Sequence, residues 1–286
     1  MISTVEPIAA AFKWACRAEL DTPKPGNVHI FAPGHGLTAD AFIASADAAA
    51  APLTAKRTRV GARILGAVEA TFATVGTNTN LGIILLCAPL AAAAEAEPAD
   101  LRAALVKILR DLDREDSELA FRAIVRAGPA GLGHSARHDV FAPATVSLLQ
   151  AMAEAADRDR IARQYTTNFA DVFDLGLPLF EATRRQRADA KWATLATYLG
   201  FLAAFPDSHI LRKYDTQTAE EVQRTAAALL ASFQAAENPA QILPDLLAWD
   251  AELKANRVNP GTSADLTVAS LFVHRVQTHL AVDVQQ

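Results

Sequence analysis

Cysteine is nearly absent from this chain: there are two in 286 residues. Cys16 and Cys87 both sit inside apolar runs, without the spacing of metal ligands, and are expected as small buried hydrophobes in a reducing compartment. Alternating Val/Ile/Thr/aromatic runs are also almost missing, so no sheet is predicted. The longest apolar run, Leu81 to Ala94, is too short to span a membrane and contains Pro89. The opening MISTVEPIAAAFKWACRAEL has neither the basic start nor the unbroken apolar stretch of a signal peptide. A soluble, cytoplasmic protein without membrane contact is expected. An excess of positive charge is lacking too: 27 Lys and Arg against 32 Asp and Glu leave a net charge of −5. That balance argues against a broad nucleic-acid-binding surface. The basic cluster Arg184, Arg185, Arg187 and Lys191 recurs at helical spacing and reads as a solvated face.

What the chain does have is helix-forming sequence. It is 51% hydrophobic and 21% charged, a globular composition with enough length to bury its own core. Ser3-x-x-Glu6 and Thr218-x-x-Glu221 read as capping boxes. Apolar helical segments are expected over 39–51, 60–74, 81–94, 98–112, 117–127, 145–156, 157–173, 179–187, 188–204, 218–236, 239–256 and 263–280. Gly128 occupies the place of a helix C-terminal glycine, and Pro206 follows another helix end. LGIILLCAPLAAAA and WATLATYLGFLAAF are apolar on more than one face, as helices at the centre of a bundle are. The predicted fold is all-α, a single domain over 1–286 made of roughly a dozen helices. Any helix pair could also serve as a homodimer interface.

Polar, turn-forming residues concentrate in five breaks. In TPKPGNVH, Pro23 and Pro25 enforce extended neighbours and Gly26 permits positive φ, which makes a stiff arc bearing Lys24, Asn27 and His29. Lys24 is either a solvated residue of a rigid connection or a phosphate-facing charge beside an amide nest. VGTNTNLG stacks Thr77, Asn78, Thr79 and Asn80 at the start of the most apolar helix, as an ordinary cap with surplus polar neighbours or as an anion site on a helix N-terminus. GPAGLGHSARHDV reads as a substrate-covering loop; its His134 and His138 are weak evidence for a metal. PDSHILRKYD crowds Asp207, His209, Arg212 and Lys213 at a helix end. In NPGTSADL, Ser263 is placed to cap the last helix, and Asp265 either stabilises the helix dipole or ligates Mg²⁺. Together these breaks suit a polyphosphate held partly through a divalent ion.

TPKPG followed by FIASA, GTNTNLG with its apolar helix, AGPAGLGHSARHDV and NPGTSADL resemble the triphosphoribosyl-dephospho-CoA synthase family, from about Glu19 to about Ala269. The resemblance implies an all-helical enzyme that joins ATP to 3′-dephospho-CoA and releases adenine. It further implies that Lys24 and the helix start around Asn78 and Thr79 hold phosphate, with Gly26, Asn27, Thr77, Asn80, Arg212, Lys213 and Ser263 as further binding residues. Asp265 is the leading Mg²⁺ ligand, followed by Asp40. Glu69, on the helix running into VGTNTN, is a further carboxylate for the same pocket and a catalytic candidate, and His29 or His35 is a candidate base. On this basis Lys24→Ala and Asn78→Ala should weaken triphosphate binding without unfolding the chain. The sequence departs from the family pattern at Asn27-Val28-His29 after KPG, at Asn80-Leu81 after the asparagine-threonine pair, and at DSHILRK. A related enzyme of another cofactor pathway, for example methanopterin-linked one-carbon metabolism, and a non-catalytic helical nucleotide-binding protein are the alternatives.

Overall fold

The computed structural model describes residues 5–96, 98–129 and 131–283. Ser3, half of the first expected capping box, lies outside the described residues. Fourteen α-helices occur among these residues, with no strand. In chain order they open with α1 (Val5–Leu20), α2 (Ala39–Leu53), α3 (Val60–Val75), α4 (Leu81–Ala94) and α5 (Leu101–Asp111). Then come α6 (Arg114–Ala127), α7 (Leu148–Ala155), α8 (Arg160–Thr166), α9 (Leu177–Arg187) and α10 (Ala190–Ala204). The chain closes with α11 (Ser208–Lys213), α12 (Thr216–Ala235), α13 (Leu243–Ala255) and α14 (Gly261–Asp283).

Two hydrophobic clusters hold these helices together. The larger gathers α1–α9 around α4 and α14. The smaller joins α10, α12 and α13. Residues of α10 and α14 take part in both, so the two clusters share a wall. α4 is buried on every face because every face is apolar, and its alanines let neighbours approach closely. Pro89 inside α4 lacks the N–H that would reach the Leu85 carbonyl. The buried Tyr165 hydroxyl donates to that carbonyl at 2.6 Å instead. Gly61 on α3 is required by a close crossing: a Cβ there would lie 2.6 Å from the Asp116 carbonyl of α6.

Several expected boundaries move, each for a local reason. The expected helix over 157–173 is only α8, and a π-helical turn, Asp171–Gly176, follows and runs unbroken into α9. Pro178 falls in the first turn of α9, where a missing N–H costs little. Gly176 serves packing rather than a break, since a Cβ would overlap the Ser270 hydroxyl and the Phe201 ring. The expected Thr218 cap is replaced by Asp215, whose carboxylate accepts from the Thr218 N–H at 2.7 Å. Ser263 does not cap α14 with its own side chain. The buried Asp207 does so, with Oδ2 accepting from both Ser263 N–H and Ser263 Oγ at 2.8 Å. Its Oδ1 accepts from the His209 and Ile210 amides of α11. One carboxylate thus caps two helices.

Candidate active site

The segment 22–29 is buried throughout, unusual for a connection between helices. Buried backbone must find partners, and the sequence limits the demand: Pro23 and Pro25 bring no donors. Tyr198 of α10 donates to the Pro25 carbonyl at 2.7 Å, and His35 Nε2 pairs with the Gly26 carbonyl at 2.7 Å. The Gly26 N–H donates to Asp250 of α13 at 2.9 Å, from a φ of +79° that favours glycine. Lys24 points inward. Its Nζ donates to Glu19 Oε1, to Asn27 Oδ1 at 3.1 Å and to the Val28 carbonyl at 2.8 Å. All three ammonium hydrogens are spent and the residue is 0% exposed. Truncating Lys24 would leave Glu19 as an uncompensated buried charge, so Lys24→Ala bears on folding, contrary to the expectation from sequence.

Beside this segment opens a cavity of about 890 Å³. Its wall combines the start of α4 (Thr77, Asn78, Thr79, Asn80, Gly82), the glycine-rich loop from Gly131 to Val140, Arg158 and Asp159 before α8, His209 and Arg212 of α11, and Asn259 and Asp265 around the start of α14. Glu19 and Asn27 reach it from the first break. At the α4 start, Asn78 Oδ1 accepts from the Leu81 amide at 3.1 Å, and Thr79 donates to Ser45 Oγ at 2.7 Å. Asn80 Oδ1 accepts from Thr71 at 3.2 Å, while its buried Nδ2 has no partner. Buried donors in native folds are paired as a rule, so an unpaired one on a cavity wall marks a place for a ligand acceptor.

Asp265 lies against Gly82. A Cβ at position 82 would overlap its carboxylate, so only glycine admits the contact. Burial, then the carboxylates of Asp207, Glu19 and Asp159, push its pKa well up. Burial likewise raises Glu19, against the opposing pull of Lys24, and lowers Lys24. Burial first, then Arg212, Lys213 and His35, push His209 down to about 4 and leave its imidazole neutral at pH 7. Arg212 donates to Asp159 at 2.6 Å.

Of the binding and metal residues read from sequence, the structure brings Asn27, Thr77, Asn78, Thr79, Asn80, Arg212 and Asp265 to one wall. Lys24, Gly26 and Ser263 stand behind it. Lys213 is exposed at the last position of α11, and Asp40 is exposed in the first turn of α2; neither is on the wall. The three catalytic candidates are also off it. Glu69 is exposed on the outer side of α3, because its neighbours Ala67 and Val68 turn the opposite face to the core. His29 is turned away, with Nε2 3.1 Å from Asp250 and 3.1 Å from Lys254. His35 is held by the Gly26 carbonyl. In the glycine-rich loop, His134 pairs with Asp139 at 3.0 Å and His138 with Thr145 at 3.4 Å. No group of three His, Cys, Asp or Glu able to hold a metal occurs among the described residues. Reading the sequence missed Glu19, Asp159 and Arg158, and it noticed His209 without using it. Glu19 alone had a local signal, an acidic residue five positions before a proline-flanked lysine.

The family model described as CitG, ATP:dephospho-CoA triphosphoribosyl transferase, matches residues 5–283. A crystal structure from Archaeoglobus fulgidus, described as a triphosphoribosyl-dephospho-CoA synthase, is similar with a TM-score of 0.62 and 23% identity. The match covers 81% of this chain and 96% of the archaeal one, a likeness of fold. No curated protein matches the chain.

Proposed function

The chain belongs to the ATP:dephospho-CoA triphosphoribosyl transferase family, and from that premise we propose how its cavity serves the transfer of the triphosphoribosyl group of ATP to 3′-dephospho-CoA with release of adenine. The triphosphate lies at the start of α4, where amides at the positive end of the helix dipole and the Asn78, Thr79 and Asn80 side chains converge. Arg212 adds a guanidinium on the same wall. The single observation that carries this reading is the unpaired, buried Asn80 Nδ2 beside an α4 start that an unpartnered carboxylate, Asp265, adjoins.

Mg²⁺ fits this corner by donor chemistry. Asp265 has no hydrogen-bond partner among the described residues, and its neighbouring carboxylates make a cation favourable there. Magnesium takes one or two carboxylates and completes its shell with phosphate oxygens and water, so a fuller protein cage is unnecessary. When bound, the ion would supply neutralisation of triphosphate charge. The chain's own residues fix the ribose for attack and exclude water, so that the acceptor hydroxyl meets C1′ in line with the departing base. Neutral His209, on the same wall, offers a hydrogen-bonding edge to the nucleoside rather than a charge. Among the described residues no helix is long and apolar enough to cross a membrane; we place the reaction in the cytoplasm.

The test is adenine release from ATP, followed with and without dephospho-CoA. Release that depends on dephospho-CoA is expected, and release indifferent to it sinks the acceptor assignment. Asn80→Leu removes the unpaired donor at similar volume, so ATP affinity measured by calorimetry should fall about tenfold, by the ~1.4 kcal/mol of one hydrogen bond to a charged group. Unchanged affinity would place the triphosphate elsewhere.

A further inference from the structure

Resting on that transfer reading, we propose that Glu19 takes the proton from the acceptor hydroxyl and that Lys24 is the residue that positions it. Glu19 ends α1 and is 4% exposed, yet it forms part of the cavity wall. One carboxylate oxygen, Oε1, is held by Lys24 Nζ. The other carries no protein hydrogen bond among the described residues. Lys24 is itself immobilised through Asn27 Oδ1 and the Val28 carbonyl, and the Asn27 amide donates onward to Asn259 Oδ1 at 2.8 Å. The carboxylate is therefore fixed from behind by a chain of three residues, with its free edge towards the cavity. The buried ammonium at contact distance opposes, without overcoming, the desolvation that raises this carboxylate's pKa.

Of the other carboxylates of the wall, Asp157 is exposed to solvent and three are engaged. Asp159 is bound by Arg212, Glu154 by Arg137, and Asp139 by His134 and two backbone amides. Asp265, facing Gly82, is the corner suited to a cation. His209 is too weak a base to compete. The charged groups closest around Glu19 are Lys24 on its own segment and Asp265 on α14, with Asp207 behind the wall and Lys254 of α13 beside Lys24.

The step balances simply. The acceptor O–H proton passes to Glu19 while the oxygen forms its bond to C1′. The C1′–N9 bond breaks with its electron pair going to adenine, which takes a proton from water. Glu19 returns its proton to water before the next turnover.

The experiment uses the full-length chain with ATP, Mg²⁺ and dephospho-CoA. Glu19→Gln keeps the shape and an oxygen for Lys24 but cannot accept a proton, so kcat for adenine release should fall about 10²- to 10⁴-fold while KM for ATP changes less than about threefold. Sodium azide then discriminates the role. Azide attacks C1′ without a proton to lose, so it should restore adenine release in Glu19→Gln and yield triphosphoribosyl azide. Lys24→Gln should show the same rescue, since it misplaces the same base. Should Glu19→Gln not fold, Glu19→Asp keeps the charge and retracts it by one methylene; a lowered kcat rescued by azide is again expected. Wild-type kcat in the variant, or a lowered kcat that azide leaves untouched, overturns the proposal. A wild-type chain that releases no adenine overturns the transfer reading itself, and this role for Glu19 with it.

Discussion

His209 shows how a single wall residue carries a pH signature. In the unfolded chain its imidazole titrates near the ordinary value of about 6.5, whereas in the fold burial and the cations Arg212 and Lys213 hold it at about 4. Between those values the unfolded state binds a proton that the folded state refuses. Stability is therefore full above about pH 6.5 and falls on acidification towards 4, by up to about 1.4 kcal/mol per pH unit. His29 and His274 are also lowered, first by burial, and act in the same direction. Urea unfolding at pH 7 and at pH 5 should show His209→Gln losing less stability on acidification than the wild type. Equal losses in both would remove His209 from the account. At this scale the sequence was legible wherever polarity was locally excessive: four polar residues before a wholly apolar helix have no ordinary reason to stand together, and the structure puts them on one wall. It was not legible for Lys24. Its identity pointed to phosphate, but its direction depends on Glu19 at the end of the preceding helix and on burial of the segment by α10 and α13, which no local pattern records. Asp159 is another such case, because its partner Arg212 is 53 positions away.

The helices themselves were mostly legible, since apolar periodicity and capping residues act within a few positions. The misplaced boundaries arose where a distant element decided the matter, as with Gly176 against Phe201 and Asp207 reaching α14 from α11. α4 is the element on which the site depends, and it is built with a defect. Pro89 leaves the Leu85 carbonyl without its helical donor in a core that water does not reach. Tyr165 of α8 repairs it and, by doing so, fixes α8 against the helix whose start lines the cavity. Tyr165→Phe keeps the ring and strands the carbonyl, so it should destabilise the fold by about 1–3 kcal/mol, read as a lower urea midpoint with an unchanged slope. A midpoint equal to that of the wild type would mean that the carbonyl finds another donor.

At the scale of the whole molecule, the cavity is where the first and last helices meet: its wall runs from Glu19 near the end of α1 to Asp265 near the start of α14. A ligand that bridges those walls binds the folded state and not the unfolded one, so it stabilises the entire fold by RT ln(1 + [L]/Kd), about 2.7 kcal/mol at a hundredfold excess over Kd. For a chain of this size that corresponds to a rise in Tm of roughly 5 °C. The charge arrangement makes the rise depend on the cation. Without a divalent ion, Asp265 and Glu19 give the triphosphate nothing to bind at the inner wall; with Mg²⁺, Asp265 anchors the ion that the triphosphate needs. Thermal melts with ATP should therefore show a clearly larger rise in Mg²⁺ than in excess chelator. In Asp265→Asn that difference should shrink, because the amide no longer anchors the ion. If Mg²⁺ and chelator give the same rise in the wild type, the cation is not held at Asp265, and the start of α4 binds the triphosphate on its own.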